Sequence, residues 1–243
     1  MDWVSEGYVL SVKKHGETSA IIEVFTPDKG RHLGLVRGGV SRKLRPVLQI
    51  GNKIKVEWRA RLSEHLGYFT VEGLNSQAAI LMQDRLSLAG LNACCAMAKE
   101  CLPEREVHKD VYDAFGILIE NLDKAEVWPA LYVKWEAGLL AAMGYGLDLS
   151  KCAATGITEH LTYVSPRSGR AVSAQAAEPY KDRMYALPAF MNPYSMRNDP
   201  DVSDEDIKHG LELTGYFLET RLQWGVNRTL PEARTRLIEK LHG

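Results

Sequence analysis

At 243 residues the chain has room for one large or two small domains, and a content of 45% hydrophobic and 25% charged residues supplies a real core. Its apolar runs fall far short of the roughly 18 residues that a membrane span needs. An acid at position 2 with no apolar stretch behind it is not a secretory leader, so a cytoplasmic protein is expected. The net charge of −1 conceals an imbalance: residues 1–80 carry 12 Lys and Arg against 8 Asp and Glu, leaving 18 against 23 for the rest. Opposite signs point to two modules with different partners, one of them polyanionic.

The first 75 residues read as strands. In "GYVLSVKK", Tyr8, Leu10 and Val12 share one side. "SAIIEVFT" is β-branched and aromatic, and "PDKG" follows with turn chemistry. "RHLGLV" comes next, then Gly38 and Gly39. After a basic loop, Ile54, Val56, Trp58 and Ala60 alternate with Lys53, Lys55, Glu57, Arg59 and Arg61, and "GYFTVEGL" makes a fifth strand. Five short strands, with a loop of about a dozen residues between the third and fourth, fit an oligonucleotide/oligosaccharide-binding (OB-fold) β-barrel over residues 1–77.

From residue 78 the period changes to 3.6, so the expected fold class is multidomain α+β with an all-α domain over 78–243. Leu86, Gly90, Ala93, Met97 and Cys101 share one helical face, and Val111, Phe115, Leu118 and Leu122 another. Pro129 opens a third helix with Leu131, Trp135, Leu139 and Ala142 as its stripe, ended by Gly144 and Gly146. The helical period lapses over about 150–200, where "LTYVSPRSGRAVS" reads as a hairpin turned at Ser168 and Gly169. Ser203 and Asp206 then form a capping box for a long helix marked by Ile207, Leu211, Thr214, Leu218 and Leu222. Pro231 starts a last short helix.

No catalytic constellation emerges, and the chain is read as a binding protein rather than an enzyme. There is no P-loop, G-x-G-x-x-G, G-x-S-x-G or H-E-x-x-H. Ser11 and Lys14 match S-x-x-K only as a string, within a strand. The acidic stretch at 198–206 lacks the Gly and terminal Glu of a calcium loop, and the sequon at Asn227 carries no meaning without secretion. Cys94, Cys95, Cys101 and Cys152 form no CxxC pair and read as free thiols. What stands out is residues 29–56, with eight cations and no acid. Solvated faces usually mix signs, so this span is read as a polyanion site. Its DNA-binding candidates are Arg31, Arg37, Arg42, Lys43, Arg45 and Lys55, followed by Arg59 and Arg61, with Gly38 and Gly39 freeing the loop to follow a phosphate backbone. Trp58 is assigned to the barrel core, whereas Tyr8, Tyr68 and Phe69 stay open between core and base stacking.

The ordered set "EGYVLSVKKHGETSAIIEVFTPDKG", "GLVRGGVSRK", "LDLSKCAATG", "YVSPRSGRAVS" and "LPAF" resembles the bacterial recombination mediator RecO family along the whole chain. The resemblance implies a non-enzymatic protein of DNA repair that binds single- and double-stranded DNA, anneals complementary strands, and with RecR helps load RecA onto gaps coated by single-strand-binding protein. It also implies nucleoid association and recognition of the acidic, apolar C-terminal tail of single-strand-binding protein by the helical domain. For that tail, Lys181, Arg183 and Tyr185 are the candidates. Many family members hold zinc in the insertion with two CxxC pairs. Here Cys152 fills the first position, while Thr155, Ser173 and Ala176 stand at the others. A zinc-finger-like insertion without metal, and no cofactor, is therefore expected. An OB-fold RNA-binding or translation-associated protein is the alternative.

Overall fold

A computed structural model of the protein describes residues 1–195, 202–226 and 229–242. Five strands, β1 (Asp2–His15), β2 (Ser19–Thr26), β3 (Gly30–Val36), β4 (Lys53–Arg59) and β5 (Tyr68–Asn75), close into a barrel in the order β1-β2-β3-β5-β4. All pairs are antiparallel except β3 with β5, which meet at Leu35 and Tyr68. β1 serves both of its neighbours because a bulge at Val9–Ser11 bends it. Residues 2–8 pair with β4 and residues 8–15 with β2.

The period-two pattern does what it predicts. Ile54, Val56 and Trp58 fill the interior with Val9, Ile22, Val24 and Phe69, while Lys55 and Arg59 face out. β1 departs from simple alternation: residues 7–10 are buried on both faces. Val9 points into the barrel, whereas Tyr8 and Leu10 lie on its outside and are still buried. Val12 does not share that side as the alternation predicts: the bulge shifts the phase, so Val12 pairs with Ile22 on the other face, where it is exposed. Gly30 has a left-handed φ of 65°, and a Cβ there would lie 2.0 Å from the Glu106 carbonyl oxygen, so the approach demands glycine.

The chain divides into two compact units, residues 1–123 with 231–241, and residues 124–230. The change of period at 77–78 therefore does not coincide with this boundary. The reason is that α1 (Gln77–Leu81), α2 (Arg85–Cys101) and α3 (Lys109–Glu120) share the first unit with the barrel. Tyr8 and Phe25 meet Tyr112 and Phe115 with ring centroids 5.3–5.8 Å apart. Each such buried ring contributes about 2 kcal/mol. Asp84 caps α2, accepting from the Leu86 and Ser87 amides at 3.1 and 3.0 Å. The predicted faces hold except at Leu86, which is only half-buried: Gly90, Ala93, Met97 and Cys101 are buried, as are Val111, Phe115, Leu118 and Leu122.

The second unit is built on α4 (Trp128–Ala142) and α6 (Asp204–Val226). α4 buries Trp128, Tyr132, Trp135 and Leu139, with Leu131 and Ala142 only half-buried, so the stripe is rotated from the expected one. Its sequence is apolar on nearly every side, and periodicity cannot single out a face. The α6 capping box forms as read: the Asp206 amide donates to Ser203 Oγ at 3.1 Å, and the Ser203 amide donates to Asp206 Oδ2 at 3.2 Å. Between these helices β6 (Leu161–Val164) and β7 (Ala171–Ser173) make the hairpin turned at Ser168 and Gly169. β8 (Tyr185–Ala186) completes the sheet β7-β6-β8, and α5 (Ala174–Ala177) follows β7. The last helix, α7 (Glu232–His242), belongs to the first unit up to residue 241. Residues 198–201, Asn227 and Arg228, and the side chain of Leu222, lie outside the described residues. All four cysteines are free and buried, and among the described residues no helix is long and apolar enough to cross a membrane.

Candidate nucleic-acid interface

The acid-free run divides once it is folded. Arg31 turns inward: its guanidinium pairs with Glu23, a barrel carboxylate only 2% exposed, and its Nε donates to the Leu102 carbonyl at 2.8 Å. Arg31 is thus the one among these candidates whose guanidinium is engaged by a buried carboxylate of the barrel.

The loop between β3 and β4 is a folded segment rather than a free strap. The Arg45 amide donates to Ser41 O and that of Leu48 to Leu44 O, both at 2.9 Å, forming helix-like turns. Leu48 is buried in the barrel core, with Leu44 and Val47 packed against it. Asn52 fastens the loop's end: its Nδ2 donates to the Pro46 and Val47 carbonyls at 2.9 and 3.2 Å, and its Oδ1 accepts from the Ala78 amide at 3.1 Å. The Gly39 amide donates to Val36 O at 3.3 Å and that of Val40 to Thr18 O at 3.2 Å, tying the loop to the β1–β2 turn. The freedom expected at Gly38 and Gly39 is thus used up by local structure. The apolar residues go in, and Arg42, Lys43 and Arg45 project outward. Arg37, Arg42, Lys43 and Arg45 have no carboxylate within ion-pair distance among the described residues. Nor do Lys13 and Lys14, which the sequence reading passed over although they flank the same turn.

On β4 the fold restores the acids that the local sequence excludes. Lys55 stands opposite Glu6 on β1 and Glu72 on β5, Lys53 pairs with Glu6 at 3.2 Å, and Arg59 pairs with its neighbour Glu57. Arg61 is exposed in the β4–β5 loop. Arg105 braces that loop, its guanidinium donating to the Ser63 and His65 carbonyls, the latter at 3.0 Å. The β4 ladder is therefore a mixed-sign face, and the unneutralised cations gather on the 37–45 loop and the end of β1.

The aromatic residues separate clearly. Trp58 is core, its Nε1 donating to Leu66 O at 3.0 Å, and Phe69 is core beside it. Tyr8 is covered by the helices of its own unit. Tyr68 is 49% exposed, stands opposite Arg59, and carries the Arg37 guanidinium 4.6 Å above its ring. An exposed ring under one guanidinium, beside unpaired cations, has the chemistry of a candidate base-stacking site. Its position next to Phe69 on a strand distinguished it from core only by alternation with Trp58's partner face. His32 lies inside the barrel with Trp3 and Trp58 at centroid distances of 5.1 and 4.9 Å; burial lowers its pKa and keeps it neutral at pH 7.

In the second unit the three tail candidates differ in their surroundings. Lys181 is held by Glu178 at 3.0 Å, Arg183 is exposed, and Tyr185 packs on Tyr216 at 4.9 Å. A cavity of about 590 Å³ lies elsewhere in this unit, lined by Leu131, Phe190 and Met191 together with Lys134 and the carboxylates Glu126 and Asp206. Three of the four positions singled out for metal do converge. Ser173 donates to the Cys152 sulfur through its amide (3.3 Å) and its hydroxyl (3.4 Å), and Thr155 also hydrogen-bonds to it. Burial pushes this thiol up, but those hydrogen bonds outweigh it and bring the pKa down to about 6. Among the described residues, no three His, Cys, Asp or Glu side chains are grouped to hold a metal ion.

Two family models match the chain, Recombination protein O N terminal over residues 1–77 and Recombination protein O C terminal over residues 82–229. The chain is 50% identical over 242 residues to the DNA repair protein RecO of Cereibacter sphaeroides, covering 99% of each chain. It is 48% identical over 242 residues to that of Ruegeria sp. (99% of this chain, 98% of the relative). Against the Caulobacter vibrioides protein of the same name the identity is 46% over 241 residues, with the same coverage.

The placement of Arg31 has a measurable consequence. Arg31→Met leaves Glu23 buried without its cation and should cost about 3 kcal/mol, read as a lower urea midpoint. Affinity for a single-stranded oligonucleotide, measured below that midpoint, should keep the wild-type salt slope. A slope flattened by about 0.7 would put Arg31 back on the phosphate path.

Proposed function

Because the chain belongs to the RecO family, we propose that it is a recombination mediator of DNA repair that works by binding rather than catalysis. It binds single- and double-stranded DNA without reading sequence, anneals complementary strands and, with RecR, helps load RecA onto gaps coated by single-strand-binding protein, in the cytoplasm on the nucleoid. The observation that carries this reading is the exposed Tyr68 under Arg37, beside the unpaired cations of the 37–45 loop. The barrel order β1-β2-β3-β5-β4 is that of an OB-fold, whose connecting loops hold nucleic acid.

Phosphates are taken by Arg37, Arg42, Lys43 and Arg45, with Lys14 alongside and Arg61 on the β4–β5 loop. Lys55 and Arg59 contribute less, since Glu6, Glu72 and Glu57 share their charge. Bases stack on Tyr68. Two strands on one cationic surface repel each other less, which favours annealing. The acidic, apolar tail of single-strand-binding protein is taken by the helical domain, with Lys181, Arg183 and Tyr185 as its candidate contacts. The Cys152, Thr155 and Ser173 hydrogen-bond cluster holds the insertion where relatives of the family use zinc, so no metal or cofactor is required.

Neutralising four to five phosphates of a single strand should make log K fall against log[salt] with a slope of about −3. Replacing Arg42, Lys43 and Arg45 together by Ala should flatten it by about two, and an unchanged slope would take the loop off the DNA path. Tyr68→Ala should weaken single-strand binding by about 1–3 kcal/mol with little change of slope. A strong preference for RNA over single-stranded DNA of equal length, in the same anisotropy titration, would favour the RNA-binding alternative. Elemental analysis should find no stoichiometric zinc, and about one zinc per chain would overturn the metal-free reading.

A further inference from the structure

We propose that a hollow at one end of the barrel takes a single unstacked nucleobase of a DNA strand, which rests on the nucleic-acid reading above. The hollow has a volume of about 600 Å³, within the roughly 300–1,000 Å³ of small-molecule sites. It lies inside the first unit, where the end of β1 and the start of β2 meet the loop between β3 and β4. Val12, Val40, Leu48 and Ile50 give it an apolar lining, and Lys14 and Arg45 line it as well. Two local features keep it open. The bulge at Val9–Ser11 sets Val12 opposite Ile22 on the inner face of the sheet, yet Val12 remains 38% exposed. Gly39 approaches Ala20 so closely that a Cβ on it would lie 2.7 Å from the Ala20 Cβ, so the loop contributes no side chain at that point.

The lining selects the occupant. Lys14 and Arg45 are exposed and, among the described residues, have no carboxylate within ion-pair distance, so the hollow adjoins the cations assigned to phosphate. A bare phosphate gains nothing from the aliphatic walls, and an uncharged apolar molecule gains nothing from the cations. A nucleotide of a strand satisfies both: its base leaves water against Val12, Val40 and Ile50 while its phosphate meets Lys14 or Arg45. Gln49 supplies one polar group to the same lining. Its Nε2 donates to the Arg45 carbonyl at 2.9 Å, which leaves Oε1 to accept. Every base carries an N–H on its pairing edge, so this contact holds a base without reading sequence. In a duplex that edge is already paired, and bringing the base out costs unpairing as well as unstacking. The hollow therefore favours single strands. Tyr68 offers one exposed ring face to a base, whereas the hollow encloses it.

The test uses the full chain and three fluorescein-labelled ligands followed by anisotropy: an oligothymidylate, an abasic strand of equal length and charge, and a duplex. Two double variants alter the hollow without touching a cation or a ring. Val12→Ser, Val40→Ser makes its mouth polar, and Val12→Met, Val40→Met narrows it. Both positions are exposed, and thermal melts check that each variant folds. Each variant should bind the oligothymidylate about fivefold or more weakly than wild type, with an unchanged salt slope. Affinity for the abasic strand and for the duplex should stay within about twofold of wild type. Wild-type affinity for the oligothymidylate in both variants would overturn the proposal. So would an equal weakening of the abasic strand or the duplex, which would trace the effect to the backbone path rather than to a base. The nucleic-acid reading survives either result, because the wild-type chain still binds. It fails, and the base site with it, if the wild-type chain binds none of the three. Variants that weaken binding of a Leu-rich peptide and leave the oligothymidylate unmoved would give the hollow to a protein and overturn the proposal as well.

Discussion

Glu23 is a carboxylate on a barrel strand with almost no access to water, and a charge in that position is tolerated only when it is matched at close range. Arg31 on the neighbouring strand supplies the match, and Ser11 on the other side donates a further hydrogen bond at 3.0 Å. The same arginine reaches past the barrel to the Leu102 carbonyl at the end of α2, while its own carbonyl accepts from the Arg105 amide at 2.7 Å. Gly30, next to it, lets the chain approach Glu106. Barrel strands and the α2–α3 connection are thereby fixed to one another through a single polar junction, and Arg105, placed by it, braces the β4–β5 loop. The geometry of the exposed face follows from a pairing that the exposed face never shows.

Much of this architecture was legible because it rests on periodicity. The alternation of Ile54, Val56 and Trp58 against Lys55 and Arg59 survives folding, as do the faces of α2 and α3 and the Ser203–Asp206 capping box. What was not legible depends on which residues meet from afar. An arginine in a basic run looks the same whether its partner is phosphate or a buried glutamate 8 residues away. Lys55 looks unopposed until strand pairing sets Glu6 and Glu72 beside it. Tyr68 and Phe69 are adjacent aromatics, and only the register of β5 decides which one faces water. On α4 the failure has a different origin: a helix that is apolar nearly all round offers no stripe to read, and packing alone selects the buried side.

The candidate surface is accordingly smaller than the charge run that announced it, but chemically richer. Its cations are held by a loop whose own leucines are sunk in the barrel, so ordering them on a ligand carries little additional entropy cost. Positive charge, an exposed ring and a rigid base occur together at one end of the barrel, whereas the β4 face carries charges of both signs. Such a division keeps attraction for a polyanion local even though the molecule as a whole is close to neutral.

The position of α7 has a consequence for how the molecule is made. Its residues 231–241 belong to the same compact unit as residues 1–123, so that unit is discontinuous in the chain. During synthesis from the N-terminus, residues 124–230 are all present before the first unit has received its last helix. The barrel and its helices therefore emerge with the α7 side of α2 uncovered until residues 231–241 have followed. Removal of residues 231–241 would act on the unit that begins with residue 1, at the far end of the sequence.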